Sequence, residues 1–319
     1  MCTALTLNRD NFYFGRTLDV EFEVTPEVVI TPRQFPIFSI KEAEHNAMIG
    51  MALIVNNYPL YFDGTNEKGL SMAGLNFPNN CKYLDFKEGK NNIYPFDLIP
   101  YILGKCSSAK EAKEEFENMN IFIDDKLSKF PTSPLHWMIA DKKYCFVVEQ
   151  TKDGMHIYDN PVGVLTNNPS FDWHLTNLKN YMNLTSDEAT NRFSDDLDLK
   201  TFCKGMGALG LPGDLSSQSR FIRVAFTKFN AKDYKNSVKD IAQFFHILET
   251  ANQTEGVAKA GKSYEKTVYT SCCSDDGNYH YTTYFNPQIN CVDLFNENLD
   301  SKELINYKLK THTTINKQN

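Results

Sequence analysis

No apolar run in the chain approaches the ~18 residues that a membrane-crossing helix needs. Nor is there a Lys/Arg cluster: the net charge is −7, and the basic face expected of a nucleic-acid binder is missing. The first ten residues, Met-Cys-Thr-Ala-Leu-Thr-Leu-Asn-Arg-Asp, lack a basic n-region, a long apolar stretch and a small-residue cleavage site. The expectation is therefore an unexported, cytoplasmic protein with no membrane partner. None of the eight cysteines has C-x-x-C spacing, and no two histidines are spaced as a ligand pair. No metal is expected, and disulfides are not expected in such a compartment. One cofactor pattern occurs, Gly205-Met-Gly-Ala-Leu-Gly210, which fits G-x-G-x-x-G. No strand signal precedes it, and Pro212 and Gly213 stand where a helix should run. It reads as a loop, and no cofactor is expected.

What the sequence does contain is aromatic bulk. With 23 Phe and 16 Tyr in 319 residues it can build a large core without staples. No internal repeat or low-complexity linker divides it, so a single domain over residues 1–319 is expected. Strand signals lie at 2–7, 27–32, 47–55, 58–62 and 69–77, with a turn placed at Asp63-Gly64. Two meanders follow, at 135–158 and 265–294, with turns at Lys152-Asp-Gly154, Asp275-Asp-Gly-Asn278 and Asn286-Pro287. Helical spacing appears at 95–103, 171–182, 219–229 and 237–250, and Ser108-Ala-Lys-Glu111 is a capping box. Strands and helices in segregated runs predict an α+β protein with antiparallel sheets. Residues 183–213 are polar and read as one long loop.

Cys2 is the sharpest chemical feature. An initiator Met is normally removed before a small residue, which leaves cysteine at the terminus. A terminal cysteine carries its own base: the α-amine titrates near ~7.7–8 and the thiol near ~8.5. A neutral amine takes the thiol proton, and the thiolate attacks a carbonyl with no histidine required. The terminus must then be held, so residues 2–7 should be a docked strand. One hairpin later comes Phe14-Gly-Arg-Thr-Leu-Asp19. Arg16 there would stabilise a thiolate and Asp19 would fix the amine. A competing reading makes Arg16 and Asp19 an exposed ion pair. Another gives the cysteines a redox or non-catalytic role. Only Cys272-Cys273 is an adjacent pair, and in a strand their side chains should point to opposite faces.

The chain resembles the choloylglycine hydrolase family of N-terminal nucleophile hydrolases, in its conjugated bile salt hydrolase branch. The matching segments are Met1-Cys-Thr-Ala4, Phe14 to Asp19, Tyr58-Pro59, Asn66-Glu-Lys-Gly-Leu70, Ala73-Gly-Leu-Asn-Phe-Pro78, Pro134-Leu-His-Trp-Met138, Gly163-Val-Leu-Thr-Asn167, Leu209 to Arg223, Gln243 to Leu248 and Tyr269-Thr-Ser-Cys272. They span almost the whole chain in order. The resemblance implies a four-layer αββα sandwich of two antiparallel sheets flanked by helices. It implies Cys2 as nucleophile, Arg16 and Asp19 as its tuning groups, and an oxyanion hole from the Asn76 backbone N–H and the Asn167 side chain. Arg220 completes the polar site, with Asn168 and Arg223 as the neighbouring alternatives to Asn167 and Arg220. It also implies a homotetramer and, as substrate, the amide of glycine- or taurine-conjugated bile salts. Penicillin V acylases share the nucleophile and are the runner-up. They typically carry Tyr at the position of Asn76, which favours bile salts. Activity on other N-acyl amides remains open. A sterol needs a broad apolar cleft, for which Leu18, Val55, Phe130 and Leu135, beside the matched motifs, are the candidates. His136 reads as a packed or hydrogen-bonded residue, His174 as unremarkable, and His246 lies on the helix with Phe244 and Phe245.

Overall fold

The computed structural model describes residues 1–124 and 130–319. Six strands open the chain: β1 (Cys2–Asn8), β2 (Phe12–Val20), β3 (Glu27–Thr31), β4 (Met48–Val55), β5 (Tyr58–Asn66) and β6 (Ser71–Asn76). After β7 (Asn91–Ile93), a 3-10 turn at Pro95–Asp97 runs into helix α1 (Leu98–Lys105), then α2 (Ala109–Glu117) and β8 (Met119–Ile121). The first predicted meander is β9 (Leu135–Ala140), β10 (Cys145–Thr151) and β11 (Gly154–Asp159), followed by β12 (Val164–Leu165). Helices α3 (Phe171–Asn177), α4 (Ser217–Asn230) and α5 (Ser237–Glu249) come next. The chain closes with β13 (Ala258–Ala260), β14 (Ser263–Ser274), β15 (Asn278–Thr283), β16 (Asn286–Asp293) and β17 (Ile305–Lys308).

Two antiparallel sheets carry the fold. One runs β12-β1-β2-β14-β15-β16, with β13 paired to β14; the other runs β11-β10-β9-β6-β5-β4-β3-β17. They stack face to face, so β1 and β2 meet β5 and β6. Helices α4 and α5 cover the outer face of the first sheet, and α1 and α2 the outer face of the second. This is the αββα order, and its reason is side-chain alternation. Along β2, Phe14, Arg16 and Leu18 face the second sheet, while Thr17 and Asp19 face the helix layer. Strands buried on both faces lose the apolar/polar alternation and become near-continuous buried runs; β2 is buried from Phe12 to Asp19.

The expected turn at Asp63-Gly64 is corrected: β5 continues through both residues to Asn66, and the chain reverses at Glu67–Gly69. Gly64 is there because β4 comes too close for a side chain. A Cβ on it would lie 2.7 Å from the Ile49 carbonyl oxygen. Asp63 is buried rather than at a turn. The predicted helix at 95–103 splits into the 3-10 turn and α1, and that at 171–182 into α3 and a 3-10 turn at Leu178–Tyr181. Strands β7, β8, β12, β13 and β17 are two to four residues long, too short for alternation to register. Ser108 accepts the Glu111 N–H at 3.3 Å, as its capping box requires. The Gly205–Gly210 stretch lies in the long loop, with a single 3-10 turn at Met206–Ala208.

Candidate active site

Strand β1 lies between β2 and β12, and the residue that begins it pairs with β2 on one side and bonds to Asn167 on the other. The register pairs Cys2 with Leu18 and Ala4 with Arg16, which puts Cys2, Arg16 and Leu18 on the face toward the second sheet. Cys2 and Leu18 are each 4% exposed, and Arg16 is fully buried. Met1 extends the ladder by one residue. Its amine donates to the Asp19 carbonyl at 2.5 Å and pairs with Glu265 at 3.1 Å, and the Asp19 N–H donates back to its carbonyl.

Asn167 and Arg220 converge on Cys2 from the outer side. The Cys2 N–H donates to Asn167 Oδ1 at 2.9 Å. Arg220 Nη2 donates to the same oxygen at 2.8 Å, and its Nη1 donates to the Cys2 carbonyl at 2.6 Å and to Thr3 Oγ1. The Asn167 Nδ2 donates to the Asn76 carbonyl at 2.7 Å, which leaves one amide hydrogen unspent. Asn167 is itself clamped. Its N–H reaches Ser217 Oγ at 2.8 Å, and its carbonyl accepts from His174 Nε2 at 2.9 Å. A carbonyl only accepts, so that nitrogen carries the proton. Burial pushes the His174 imidazole down to about 4, which keeps it neutral. One residue earlier, the Thr166 carbonyl is held by His136 Nε2 at 2.9 Å, and His136 Nδ1 meets Glu149 at 3.0 Å. Helix α4 delivers Arg220 and Ser217 together from its first turn, where Ser216 caps it.

Arg16 is solvated by backbone. Its guanidinium donates to the carbonyls of Thr17 (3.1 Å), Phe62 (3.3 Å) and Gly74 (2.5 Å). Taking such an ion out of water costs several kcal/mol, and each charged hydrogen bond returns about 1.5–3 kcal/mol. Burial works against the charge, but the groups around it, Cys2 first and then Tyr269, Asp63 and Asp19, hold the guanidinium firmly protonated. Asp19 points the other way. Its carboxylate accepts from Thr17 Oγ1 at 3.0 Å and Thr267 Oγ1 at 2.6 Å. A bulge between Thr267 and Tyr269 turns Thr267 to that face. Arg16 and Asp19 thus flank Cys2 from opposite faces of the sheet and form no ion pair with each other.

The neighbouring alternatives go elsewhere. Asn168 donates to the Pro78 carbonyl, and Arg223 to the carbonyls of Thr250, Pro212 and Asp214. Of the apolar candidates, Leu18 sits opposite Cys2 and Leu135 opposite Asn76. Val55 and Phe130 belong to a separate aromatic cluster with Phe35, Tyr58 and Phe96. Sequence reasoning passed over Thr3, Ser217, Thr267 and His174. Hydroxyl residues in strands and helix caps carry no signal of their own, and His174 read as ordinary packing. Cys272 and Cys273 are both buried, free thiols. Among the described residues no three His, Cys, Asp or Glu converge as a metal site, and no helix is long and apolar enough to cross a membrane.

In this αββα architecture a cysteine stands at the start of an inner strand, held by an asparagine and an arginine and facing a buried arginine. The family model for linear amide C–N hydrolases, choloylglycine hydrolase family, matches residues 2–307. The chain belongs to that family. It is 48% identical to a bile salt hydrolase/transferase from Lactiplantibacillus plantarum, over 98% of each chain. A crystal structure of a conjugated bile acid hydrolase variant from Clostridium perfringens superposes with a TM-score of 0.91 at 38% identity, covering all of both chains. A penicillin V acylase from Agrobacterium tumefaciens shares the fold at a TM-score of 0.76 and 18% identity, over 97% of this chain and 92% of its own.

Proposed function

We propose that the chain hydrolyses the amide bond of glycine- and taurine-conjugated bile salts, with Cys2 as nucleophile after Met1 is removed. The observation that carries this is the convergence of Asn167 and Arg220 on Cys2, in a chain that matches a bile salt hydrolase/transferase from end to end. Removal of Met1 turns the Cys2 nitrogen from an amide into an α-amine, still facing Asn167 Oδ1. That amine takes the thiol proton, and the thiolate, opposite Leu18 and beside Arg16, attacks the substrate carbonyl. The Asn76 N–H and the spare Asn167 amide hydrogen receive the oxyanion. The ammonium returns its proton to the departing glycine or taurine nitrogen, leaving a thioester. Water, deprotonated by the same amine, releases the bile acid. An amine attacking in place of water would form a new amide. Asp19 fixes the strand edge that carries the terminus, through its backbone and the two threonines.

The aromatic cluster of Phe35, Tyr58, Phe96 and Phe130, with Val55 at its margin, supplies an apolar wall for the sterol; Leu18 and Leu135 line the approach to Cys2. The chain works as one domain over 1–319. Exposed Phe193, Phe202 and Leu209 on the 183–213 loop supply contacts for a homotetramer, which light scattering of the purified protein will size. Eight free thiols suit a reducing cytoplasm. The decisive assay is amino acid release from glycocholate and taurocholate, beside penicillin V hydrolysis, with wild type and Cys2→Ala. Cys2-dependent release from the bile salts is expected. Turnover of penicillin V alone would move the substrate to the runner-up, and turnover of neither would overturn the reading.

A further inference from the structure

Asp63 has no part in the scheme above, yet it is the most heavily bonded carboxylate between the two sheets. It is fully buried on β5, and three side chains of the opposite sheet donate to it: Tyr269 at 2.6 Å, Tyr279 at 2.6 Å and Ser271 at 3.2 Å. All three donors are fully buried as well. Ser271 is shared. While its hydroxyl faces Asp63, its oxygen accepts the Arg16 backbone N–H at 3.1 Å. The Arg16 guanidinium reaches the carbonyl of Phe62, the residue before Asp63. Among the described residues Arg16 forms no ion pair, all its bonds run to carbonyls, and its Nη2 is buried without a partner. A guanidinium sealed between two sheets with no carboxylate in contact still needs a balancing charge nearby. On the face Arg16 occupies, that charge is Asp63. Asp19 lies across the sheet and is occupied by Thr17 and Thr267.

We propose that Asp63 is a positioning residue of the active site: clamped by Tyr269, Ser271 and Tyr279, its carboxylate is the counter-charge that keeps Arg16 buried against Cys2 and moderates the positive field at the thiol. This role rests on the reading of Cys2 as the nucleophile. The other titratable groups facing the pair are Cys273 beside Asp63, and, around Cys2, Arg220 and Asp19 from the outer side and Glu265 at the strand edge. The proposal also accounts for the Tyr269-Thr-Ser271 segment of the sequence, whose first and third residues face the same way by strand alternation.

The test is the pH dependence of Cys2 alkylation by iodoacetamide, read by mass spectrometry of the N-terminal peptide. Wild type is compared with Asp63→Asn and Tyr279→Phe. Removing the Asp63 charge leaves the Arg16 field opposed by less negative charge, so the alkylation midpoint should fall by roughly half to one pH unit. Tyr279→Phe keeps the carboxylate but strips one donor, so Asp63 holds its proton to higher pH and the midpoint falls by a smaller amount. With glycocholate, Asp63→Asn should lower kcat and leave KM near wild type, because no group that touches substrate has changed. A merely structural role predicts lost folded protein with an unmoved midpoint. If Asp63→Asn does not fold, Tyr279→Phe decides. A midpoint that stays put or rises in the folded variant overturns the proposal. The alkylation readout needs no substrate: should wild type leave both bile salts and penicillin V intact, the substrate assignment fails while the Asp63 result stands by itself.

Discussion

Around Cys2 nearly every side chain ends on the backbone; around Phe130 nearly every side chain ends on another ring. Arg16, Arg220, Asn167, His136 and His174 each donate to one or more main-chain carbonyls, so strand register and one helix start fix their positions. Phe96 and Phe130 stack with centroids 4.4 Å apart, and Tyr58 packs edge-on to both. Such ring pairs are worth about 0.5–1.5 kcal/mol beyond burial and tolerate small shifts. The cluster has one polar anchor, the buried Asp97, which accepts from the Tyr58 hydroxyl and from the Ser39 N–H. The difference suits the two tasks proposed for these regions. Bond-breaking needs atoms held to fractions of an ångström, whereas a sterol wall needs area.

Breaking the polar half should cost most. Cys2→Ala should remove at least about a thousandfold of kcat on glycocholate, with the fold unchanged by circular dichroism. Asn167→Ala removes the proposed oxyanion donor and the shared partner of Arg220 and the Cys2 nitrogen; kcat should fall roughly 100- to 1,000-fold. A smaller loss in either variant would move the chemistry elsewhere.

Acid should separate the halves. His174, neutral in the fold and pushed down to about 4 by burial, gives stability that is full above its ordinary value near ~6.5 and is lost as pH falls through 4. Asp97 is pushed up to about 6 by burial, so its contribution is full below ~4 and is lost as pH rises through 6. Each swing amounts to about 3 kcal/mol. In urea titrations at pH 4 and pH 7, the advantage of wild type over His174→Gln should shrink at pH 4, and its advantage over Asp97→Asn should grow. Slopes of the same sign would break the comparison.

The smallest effect belongs to the aromatic half. Phe130→Ala should raise KM for glycocholate and taurocholate roughly tenfold with kcat little changed, the signature of lost uniform binding. A fall in kcat instead would tie that ring to the chemistry.

These two regions also differ in how far they could be read from residues alone. Cys2 announced itself, because a nucleophile and base in one residue is an argument from chemistry, and the alternating runs of the two meanders placed their strands within a residue or two. The clamp on Asn167 was invisible: Ser217 and His174 lie far from Cys2 in sequence and are common residue types. Asp63-Gly64 misled for a physical reason. Gly beside Asp is a turn signal locally, but here one residue permits close strand approach and the other serves the interior. The aromatic cluster was half seen. Val55, Phe130 and Tyr58 stand in or beside matched motifs, whereas Phe35 and Phe96 join them only through tertiary packing.

The placement of β1 between two later-made neighbours sets an order of events during synthesis. Met1 is bonded to Asp19, 18 residues on, but its ion pair with Glu265 and the contacts of Cys2 to Asn167 and Arg220 draw on chain far downstream. At roughly 5–20 residues per second, Glu265 follows Met1 by tens of seconds. Through that interval the amino terminus has no sheet to dock in, and a peptidase can reach it. Once β14 and α4 are in place, the same terminus is half-buried, tied to Asp19 and Glu265. For the Met1 removal proposed above, the long sequence separation of the site's parts leaves the Met1–Cys2 bond open until the fold closes over it. A refolded chain that retains Met1 should accordingly resist methionine aminopeptidase, while the urea-unfolded chain, diluted into the same enzyme, should be trimmed.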